Sequence, residues 1–190
     1  MKDSDAWEKK RDIMRKYDAT AHIYDLRYEQ EQTAKYSAAL ESLQGKELGL
    51  VLDVGCGTGL LFNHIRAIST RIVGVDISRK TLQRSRERAR NSSAIEVICA
   101  DADLLPFGGS IFNHAFAMTL IQNSPNPIQT LREVERVSRN DAVTVVTGLK
   151  RVFSKNGFAS LLRKARLRVT VLKDEENLKC YVAICIKMHH

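Results

Sequence analysis

Three glycines at alternate positions, directly after a short apolar run, constrain this chain more than any other feature. The run 50–54 (LVLDV) is typical of a strand that is buried on both faces. Gly55, Gly57 and Gly59 follow it, and the apolar periodicity beyond them predicts a helix over 59–67. Glycine permits positive φ and has no Cβ to exclude a ligand, while the start of a helix leaves backbone N–H groups free. The stretch therefore predicts a strand–turn–helix unit that can hold a ligand.

The spacing G-x-G-x-G separates this turn from two other glycine-rich turns. Dinucleotide-binding proteins carry G-x-G-x-x-G, and a P-loop needs Gly-Lys-Ser/Thr. Neither pattern is present at 55–59. Because a glycine turn also occurs with a purely structural role, its interpretation depends on the residues that follow.

Acidic residues mark the ends of three apolar runs. Asp53 lies near the end of the first run, Asp76 follows 71–75, and Asp101 follows 95–99. The carboxyl ends of parallel strands meet at one edge of a sheet, where open α/β sheets bind ligands. A carboxylate after the second strand can accept hydrogen bonds from both hydroxyls of a ribose. The sequence therefore predicts an acid-lined ligand site at this edge.

Three motifs resemble, in their order along the chain, the cofactor site of class I S-adenosylmethionine (SAM)-dependent methyltransferases. They are VLDVGCGTG (51–59), VGVDIS (73–78) and ADADLLPF (100–107). The similarity is greatest to the UbiE-like, or methyltransferase-11, type. It extends over roughly 17–147, and its first motif is highly specific. The resemblance implies a methyltransferase with SAM as cofactor. Since SAM carries no phosphate, acids at three strand ends suit it better than they suit a dinucleotide.

The resemblance also implies the roles of individual residues. The glycines let the backbone approach the methionyl and ribose parts of SAM, Asp53 faces its ammonium group, and Asp76 accepts its ribose hydroxyls. Asp101 faces the adenine amino group, beside Ile77 and the N–H of Ala102. The expected cofactor residues are Asp53, Gly55, Cys56, Gly57, Thr58, Gly59, Asp76, Ile77, Asp101, Ala102, Met118, Tyr17 and Tyr24. No metal ligand is among them.

The tyrosines belong to the segment Y-D-x-x-A-x-x-Y-D at 17–25. In the resembling family such tyrosines close over the cofactor, and Tyr17 and Tyr24 are assigned to that role. The alternative is an aromatic edge that packs on the sheet, since the residues also have helical spacing.

No catalytic residue emerges from the sequence. Asn113 stands where members of the family usually carry Asp, and no Asn/Asp-Pro-Pro-aromatic motif is found; 123–126 (NSPN) is interpreted as the turn that caps the next helix. Methylation of planar amino nitrogens is therefore disfavoured. His22 and His114 are candidates for a general base, although such histidines are more often packing residues. An acceptor that is already nucleophilic needs no base.

Strands and helices alternate through the rest of the chain. Strands are predicted at 50–54, 71–75, 95–99, 111–117, 142–147, 167–173 and 179–187, with helices at 59–67, 78–90, 126–138 and 154–165. This alternation predicts an α/β fold: a Rossmann-like, doubly wound, mainly parallel seven-stranded sheet that ends in an antiparallel hairpin. We expect one domain over 1–188, with a helical lid segment (1–46) and an α/β core (50–188). His189 and His190 are excluded as an added tail.

Composition narrows the class of protein. The 190 residues, 44% of them hydrophobic, suffice for one substantial core. No apolar run approaches the length of a membrane span, and the first residues lack a signal-peptide pattern. We therefore expect a cytoplasmic protein without a membrane segment. The four cysteines form no C-x-x-C pair, which favours buried free thiols over a zinc site.

The net charge of +8 is concentrated in two basic stretches, 79–90 and 150–168. Basic clusters neutralise phosphates, so RNA is the leading methyl acceptor, and a solvated helix face is the alternative interpretation. A protein or small-metabolite acceptor remains open, as does a non-catalytic SAM-fold subunit that binds RNA or a partner. No large insertion covers the site, which is therefore open to a macromolecule or completed by an activating partner protein.

Overall fold

A computed structural model describes residues 3–188; Met1, Lys2, His189 and His190 lie outside the described residues. The helices are α1 (Asp3–Thr20), α2 (Tyr24–Glu41), α3 (Phe62–Ile65), α4 (Arg79–Ala89), α5 (Pro127–Val137) and α6 (Lys155–Lys164). The strands are β1 (Leu50–Val54), β2 (Arg71–Asp76), β3 (Ile95–Cys99), β4 (Phe112–Ala117), β5 (Ser138–Leu149), β6 (Leu167–Lys173) and β7 (Cys180–Lys187).

All seven strands form one sheet in the order β3-β2-β1-β4-β5-β7-β6. The pairs among β1 to β5 are parallel, and β7 pairs antiparallel with both β5 and β6. The predicted mainly parallel sheet with a C-terminal hairpin is confirmed. The order reverses between β1 and β4, which is the point where sheets of this kind bind ligands.

Helices cover both faces because alternate strand residues point to opposite sides. One face carries α2, α3 and α4, which pack with Val51 and Ile72 in one apolar cluster. The other face carries α5 and α6, and Leu52 and Val73 belong to a cluster on that side. Every central strand is therefore buried on both faces, as its continuous apolar run predicts.

The first helix after the glycine turn is shorter than predicted. It covers Phe62–Ile65 rather than 59–67, because Gly57 and Gly59 have φ of +54° and +77°, outside the right-handed helical region. Strand β5 is longer than its predicted range of 142–147 and begins directly at the end of α5.

The two N-terminal helices differ in how they join the core. Helix α2 contributes Tyr36 and Ala39 to the large apolar cluster, whereas Ala21 is the one buried side chain within 5–22. Of the free cysteines, Cys99 is exposed and the other three are buried. Within 3–188, no helix has the length and apolar character needed to cross a membrane.

Candidate functional site

A cleft of about 840 Å³, counting the part open to solvent, lies at the carboxyl ends of β1 to β4. Most residues predicted to contact a cofactor line it: Tyr17, Tyr24, Gly55, Gly57, Asp76, Ile77, Asp101, Ala102 and Met118. Asp53, Cys56 and Thr58 line a smaller cavity that shares Gly55 and Gly57 with the cleft, whereas Gly59 lines neither. The tertiary structure thus brings the strand-end acids and the glycine turn to one place.

The glycine turn docks on β2 and leaves one open position. The N–H groups of Gly55 and Cys56 both donate to the carbonyl of Val75, at 2.7 and 3.0 Å. The N–H of Gly57 donates to Asp76 Oδ2 at 2.9 Å. A Cβ built on Gly57 would meet no atom within 4 Å, although Gly57 lines the cleft. Glycine therefore keeps space free here for a ligand close to the backbone.

Gly59 serves packing rather than the cleft. A Cβ at Gly59 would lie 2.6 Å from the ring of Phe62, and a Cβ at Gly74 would also lie 2.6 Å from that ring. The fully buried ring of Phe62 thus occupies a slot between the glycine turn and β2. This contact fixes where the turn sits relative to the sheet.

Asp53 and Asp76 form a pair of carboxyl groups that suits a cationic ligand. Asp53 is only 2% exposed, and burial together with the charge of Asp76 raises its pKa to about 8. Burial also raises the pKa of Asp76, even though the N–H groups of Ser78 and Gly57 donate to it. Buried negative charges are costly unless a positive group compensates them. A ligand with an ammonium or sulfonium group supplies that compensation.

The third acidic strand end is held by the N-terminal helix. The ammonium of Lys10 lies 2.6 Å from Asp101 Oδ2 and 2.6 Å from Asp103 Oδ2. Asp101 Oδ1 also accepts the backbone N–H of Asp103 at 3.0 Å. Burial disfavours the charged amine, but its hydrogen bonds to both carboxylates leave the pKa of Lys10 raised. All three residues line the cleft, so α1 forms part of its wall.

Two further carboxylates attach the N-terminal segment to the loops of the site. Asp18 Oδ1 accepts the hydroxyl of Ser78, which follows β2, at 2.6 Å. Asp25 accepts the hydroxyl of Thr58 at 2.5 Å and pairs with Arg88 at 2.5 Å. The side chain of Thr58 is thereby occupied by the lid segment.

Tyr17 and Tyr24 face the cleft from α1 and α2. Their ring centroids are 6.1 Å apart, and the ring of Tyr28 lies 4.9 Å from that of Tyr24. The Tyr17 hydroxyl accepts from Asn123 Nδ2 at 2.9 Å, and the Tyr24 hydroxyl accepts from Gln32 Nε2 at 3.1 Å. Burial raises the pKa of both hydroxyls, so both are neutral at physiological pH.

The loop after β4 is held in an unusual conformation by buried polar groups. Thr119 has φ +57°, which is rare for a β-branched residue. Its N–H donates to Thr147 Oγ1 at 2.7 Å and its hydroxyl donates to Gln32 Oε1 at 3.2 Å. Lys35, which is 1% exposed, reaches Thr119 Oγ1 at 3.3 Å and Glu31 Oε1 at 2.8 Å. Helix α2 thus fixes a loop that lines the cleft.

Sequence reasoning missed several polar residues of this cleft. Lys10, Thr119 and Asn123 line it outside the three recognised motifs, and Asp103 lies within the third motif but was not assigned to the site. The interpretation of 123–126 as a helix-capping turn is confirmed, because the side chain at position 126 caps α5. Asn123 lies within that turn and also bonds to Tyr17, a contact that local patterns do not reveal.

The proposed base candidates lie outside the cleft. His114 Nδ1 is 2.7 Å from the carbonyl of Leu48, and burial lowers the pKa of this histidine. His22 is exposed. Asn113 accepts the N–H of Leu50 at 3.0 Å and so holds the start of β1. Over 3–188, no group of three or more His, Cys, Asp or Glu side chains is arranged to hold a metal ion.

Solved structures of other proteins share this fold. A Burkholderia thailandensis 1,6-didemethyltoxoflavin-N1-methyltransferase, solved with its substrate and S-adenosylhomocysteine, has TM-score 0.81 at 16% identity, covering 97% of this chain and 91% of that one. A second similar structure is a complex between the Haloferax volcanii Trm112 methyltransferase activator and a methyltransferase. It has TM-score 0.79 at 18% identity, and the match covers 92% of this chain and 96% of that one. At such identities the likeness shows the fold alone.

Relatives by sequence include the malonyl-[acyl-carrier protein] O-methyltransferase of Salmonella typhimurium. It is 29% identical over 125 residues, which are 64% of this chain and 49% of that protein. The chain spans between about a third and a half of the length of the curated relatives it matches. A family model described as a methyltransferase domain matches 52–146. That match covers half of the chain, from β1 into β5, and this chain belongs to the Methyltransf_11 family of methyltransferase domains.

Proposed function

We propose that this chain is a SAM-dependent methyltransferase. The observation that carries the proposal is the convergence of Asp76 and Asp101 on one cleft, with Asp53 in the adjoining smaller cavity and open space beside Gly57 of the glycine turn. A cationic, phosphate-free nucleoside matches these buried carboxylates, whereas a dinucleotide brings two phosphates to them. SAM supplies an electrophilic methyl group on its sulfonium, and the residues of the chain bind, orient and shield it.

The role of each residue follows from its place in the cleft. We assign Asp53 to the ammonium of SAM, because a positive charge offsets the cost of ionising this buried group. Asp76, fixed by the N–H groups of Gly57 and Ser78, retains lone pairs for the ribose hydroxyls. Ile77, Ala102 and Asp101 are assigned to the adenine end. Tyr17 and Tyr24 exclude water from above, while Cys56, Thr58 and Gly59 shape the turn.

Calorimetric titration with SAM and S-adenosylhomocysteine tests this proposal without knowledge of the acceptor. Asp76→Ala removes both the turn contact and the ribose acceptor, so we expect binding to weaken by at least about a hundredfold. Asp141→Ala is the matched control, because Asp141 is exposed and pairs only with Arg139 among the described contacts. Equal affinities in the two variants, or no binding by the unsubstituted protein, would contradict the assigned cofactor site.

For the acceptor we propose RNA, bound at the mouth of the cleft rather than across both basic stretches. The basic stretch 79–90 lies on the face of the sheet that α4 covers. The basic stretch 150–168 includes α6, which covers the opposite face. Because the two basic stretches lie on opposite faces, a single RNA strand at the methyl group does not contact both stretches. Since β6 runs parallel to β5, 163–168 also lie at the edge of the sheet away from the cleft.

An aromatic path leads from the cleft to a cationic surface. Tyr24 lines the cleft, and Tyr28, whose ring lies beside it at a tilt of 50°, is 40% exposed. The side chain of Lys179 is 76% exposed; its hydrogen bond to Glu31 raises its pKa, and nearby Arg151 opposes that rise. An exposed aromatic ring beside exposed cations is the combination to which single-stranded nucleic acid binds through base stacking and phosphate contact. This surface supports an RNA acceptor.

Fluorescence anisotropy with a short labelled oligouridylate tests the acceptor class. We expect Tyr28→Ala to weaken binding about tenfold through lost stacking, and Lys179→Met to reduce the salt slope by about 0.7. Arg163→Met, a cation on α6 away from the mouth, serves as the control and leaves both values unchanged. If the oligonucleotide fails to bind while S-adenosylhomocysteine binds, the proposed single-strand RNA site is wrong, and a protein or small-metabolite acceptor is favoured.

We also propose that an activating protein subunit completes the acceptor side of the cleft. The loop 118–126 after β4 contains no helix, and neither does the segment 100–111 between β3 and β4, so no helical element inserted in these segments covers the cleft. The Haloferax volcanii neighbour is solved with an activator, which supports this arrangement. If the purified chain methylates its acceptor at full rate alone, this part of the proposal is wrong. If the chain binds SAM yet transfers no methyl group with any partner, it is a non-catalytic subunit.

A further inference from the structure

Helix α1 is attached to the protein mainly by polar contacts. Within 5–22, Ala21 is the one buried side chain, so little apolar surface holds the helix in place. Its polar contacts with the core include those of Lys10 with Asp101 and Asp103. Asp18 bonds to Ser78, and Tyr17 bonds to Asn123. The position of α1 therefore depends on a few charged or polar groups together with the half-buried side chains of Ile13, Met14 and Tyr17.

Lys10 makes the strongest of these contacts. Its side chain is only 13% exposed, and its ammonium lies 2.6 Å from each of two carboxylates. Asp101 and Asp103 would repel each other without a shared cation, because both carboxylates approach the same point at short range. Hydrogen bonds between charged groups in such a partly dehydrated place are worth more than neutral ones. Loss of this amine therefore releases both α1 and the loop after β3.

The location of the ion pair links it to the cofactor. Lys10, Asp101 and Asp103 line the cleft on the side that also contains Ile77 and Ala102. Tyr17, two turns further along α1, covers the same cleft. Helix α1 therefore flanks the end of the cleft that is assigned to the adenine.

We propose that Lys10 is a positioning residue of the cofactor site. By binding Asp101 and Asp103 at once, it holds α1 over the adenosyl end of the cleft and slows release of the cofactor. This inference rests on the proposed function. It adds a residue outside the recognised motifs, and it assigns the N-terminal helix a kinetic role in the reaction.

Trp7 provides a native probe of this closure. It is the single tryptophan of the chain, lies on α1 one turn before Lys10, and is 47% exposed. Quenching of its fluorescence by acrylamide reports how open α1 is in the free protein. Stopped-flow mixing of the complex with excess unlabelled competitor gives the rate at which S-adenosylhomocysteine leaves.

We expect Lys10→Met to speed the release of S-adenosylhomocysteine about tenfold, the effect of one lost charge-assisted contact, without slowing its association. Acrylamide quenching of Trp7 increases in the same variant. Lys10→Arg, which keeps the charge and the two-carboxylate contact, restores slow release. Arg15→Met is the matched control on α1, because Arg15 is exposed and pairs with Asp12 of its own helix.

A double-substitution cycle separates positioning from simple charge. Asp103→Asn removes one arm of the ion pair and leaves Asp101 in place. In the Lys10→Met background it should no longer accelerate release, because both changes break the same contact. Independent, additive effects of the two substitutions would overturn the proposal.

Two other outcomes are decisive in different ways. If the protein binds S-adenosylhomocysteine and Lys10→Met releases it at the rate of Arg15→Met, the inference about Lys10 is wrong while the proposed function stands. If the unsubstituted protein binds neither SAM nor S-adenosylhomocysteine, the proposed function fails and the cofactor role of Lys10 falls with it. Trp7 quenching then still shows whether the ion pair closes α1.

Discussion

Asp53 combines a stability cost with a role in binding. An aspartate in an unfolded chain has a pKa near 3.8, whereas burial raises the pKa of Asp53 in the folded protein to about 8. Between these two values the folded state holds the extra proton. The contribution of Asp53 to the free energy of unfolding therefore decreases as pH rises from about 4 to about 8.

The first prediction is that Asp53→Asn stabilises the free protein at pH 8 more than at pH 5. The amide keeps the shape of the side chain and carries no charge, so the pH-dependent cost disappears. Urea denaturation at the two pH values measures the difference, with Asp141→Asn as an exposed control. Parallel stability profiles for Asp53→Asn and the unsubstituted protein would show that Asp53 does not titrate in this range.

The second prediction concerns the ligand. Binding of a cationic group beside Asp53 favours the ionised carboxylate, so it lowers the pKa and releases a proton. We expect the affinity for SAM to rise from pH 6 to pH 8 and then level off. Calorimetry in two buffers with different ionisation enthalpies counts the released proton. Asp53→Asn should bind more weakly and lose this pH dependence.

Two glycines of the turn give a matched pair of substitutions. In Gly57→Ala the added methyl group meets no atom of the protein and enters the cleft. The substitution therefore lowers the free energy of unfolding only by the strain of a positive φ, about 1 kcal/mol. Gly59→Ala adds a clash with the Phe62 ring to that strain and should cost about 2–4 kcal/mol. We expect Gly57→Ala to impair S-adenosylhomocysteine binding more than stability, and Gly59→Ala to do the reverse. Thermal unfolding and calorimetry together decide the comparison.

At the scale of elements, α2 supports the loop after β4. Lys35 and Gln32 approach Thr119 from a helix far away in sequence, and Thr147 approaches it from β5. These bonds oppose the strain of a positive φ at a β-branched residue. The helix is therefore part of the site as well as of the core.

Removal of Lys35 tests that support. We expect Lys35→Met to lower the free energy of unfolding by about 2 kcal/mol, because a buried charged contact to Thr119 and Glu31 is lost. Lys46→Met, at an exposed position just after α2, should change it by less than about 0.5 kcal/mol. Urea unfolding measures both. A Lys35 variant as stable as the Lys46 variant would mean that Thr119 needs no such support.

For the whole molecule, the structure predicts unequal effects of two N-terminal deletions. Removing residues 1–22 takes away α1, which contributes little to the core, so the melting temperature should change by less than about 5 °C while cofactor binding is lost. Removing 1–46 also takes Tyr36, Ala39 and Leu43 out of the main apolar cluster, and we expect that chain not to fold. Circular dichroism on heating distinguishes the two. Cooperative folding of the shorter chain would show that α2 is dispensable.

Much of the architecture was predictable because it depends on local pattern. Buried parallel strands give continuous apolar runs, and the polar turn at 174–177 separates two strands that form a hairpin. The alternation of strands and helices predicted parallel pairing, whereas the order of the strands in the sheet came from the tertiary structure. The end of the glycine turn was misplaced, since helical periodicity begins before positive φ at Gly59 allows a helix.

The sequence by itself determined the strands, the glycine turn and the acids at the strand ends, since each follows from composition and spacing within a short segment. The tertiary structure alone decided that Lys10 joins Asp101, that Lys35 reaches Thr119 and that the two basic stretches lie on opposite faces. These contacts join residues far apart in the chain, and charged side chains on a helix carry no local signal of their partner. Burial of Asp53 beside Asp76, which raises its pKa, likewise exists only once the sheet has formed.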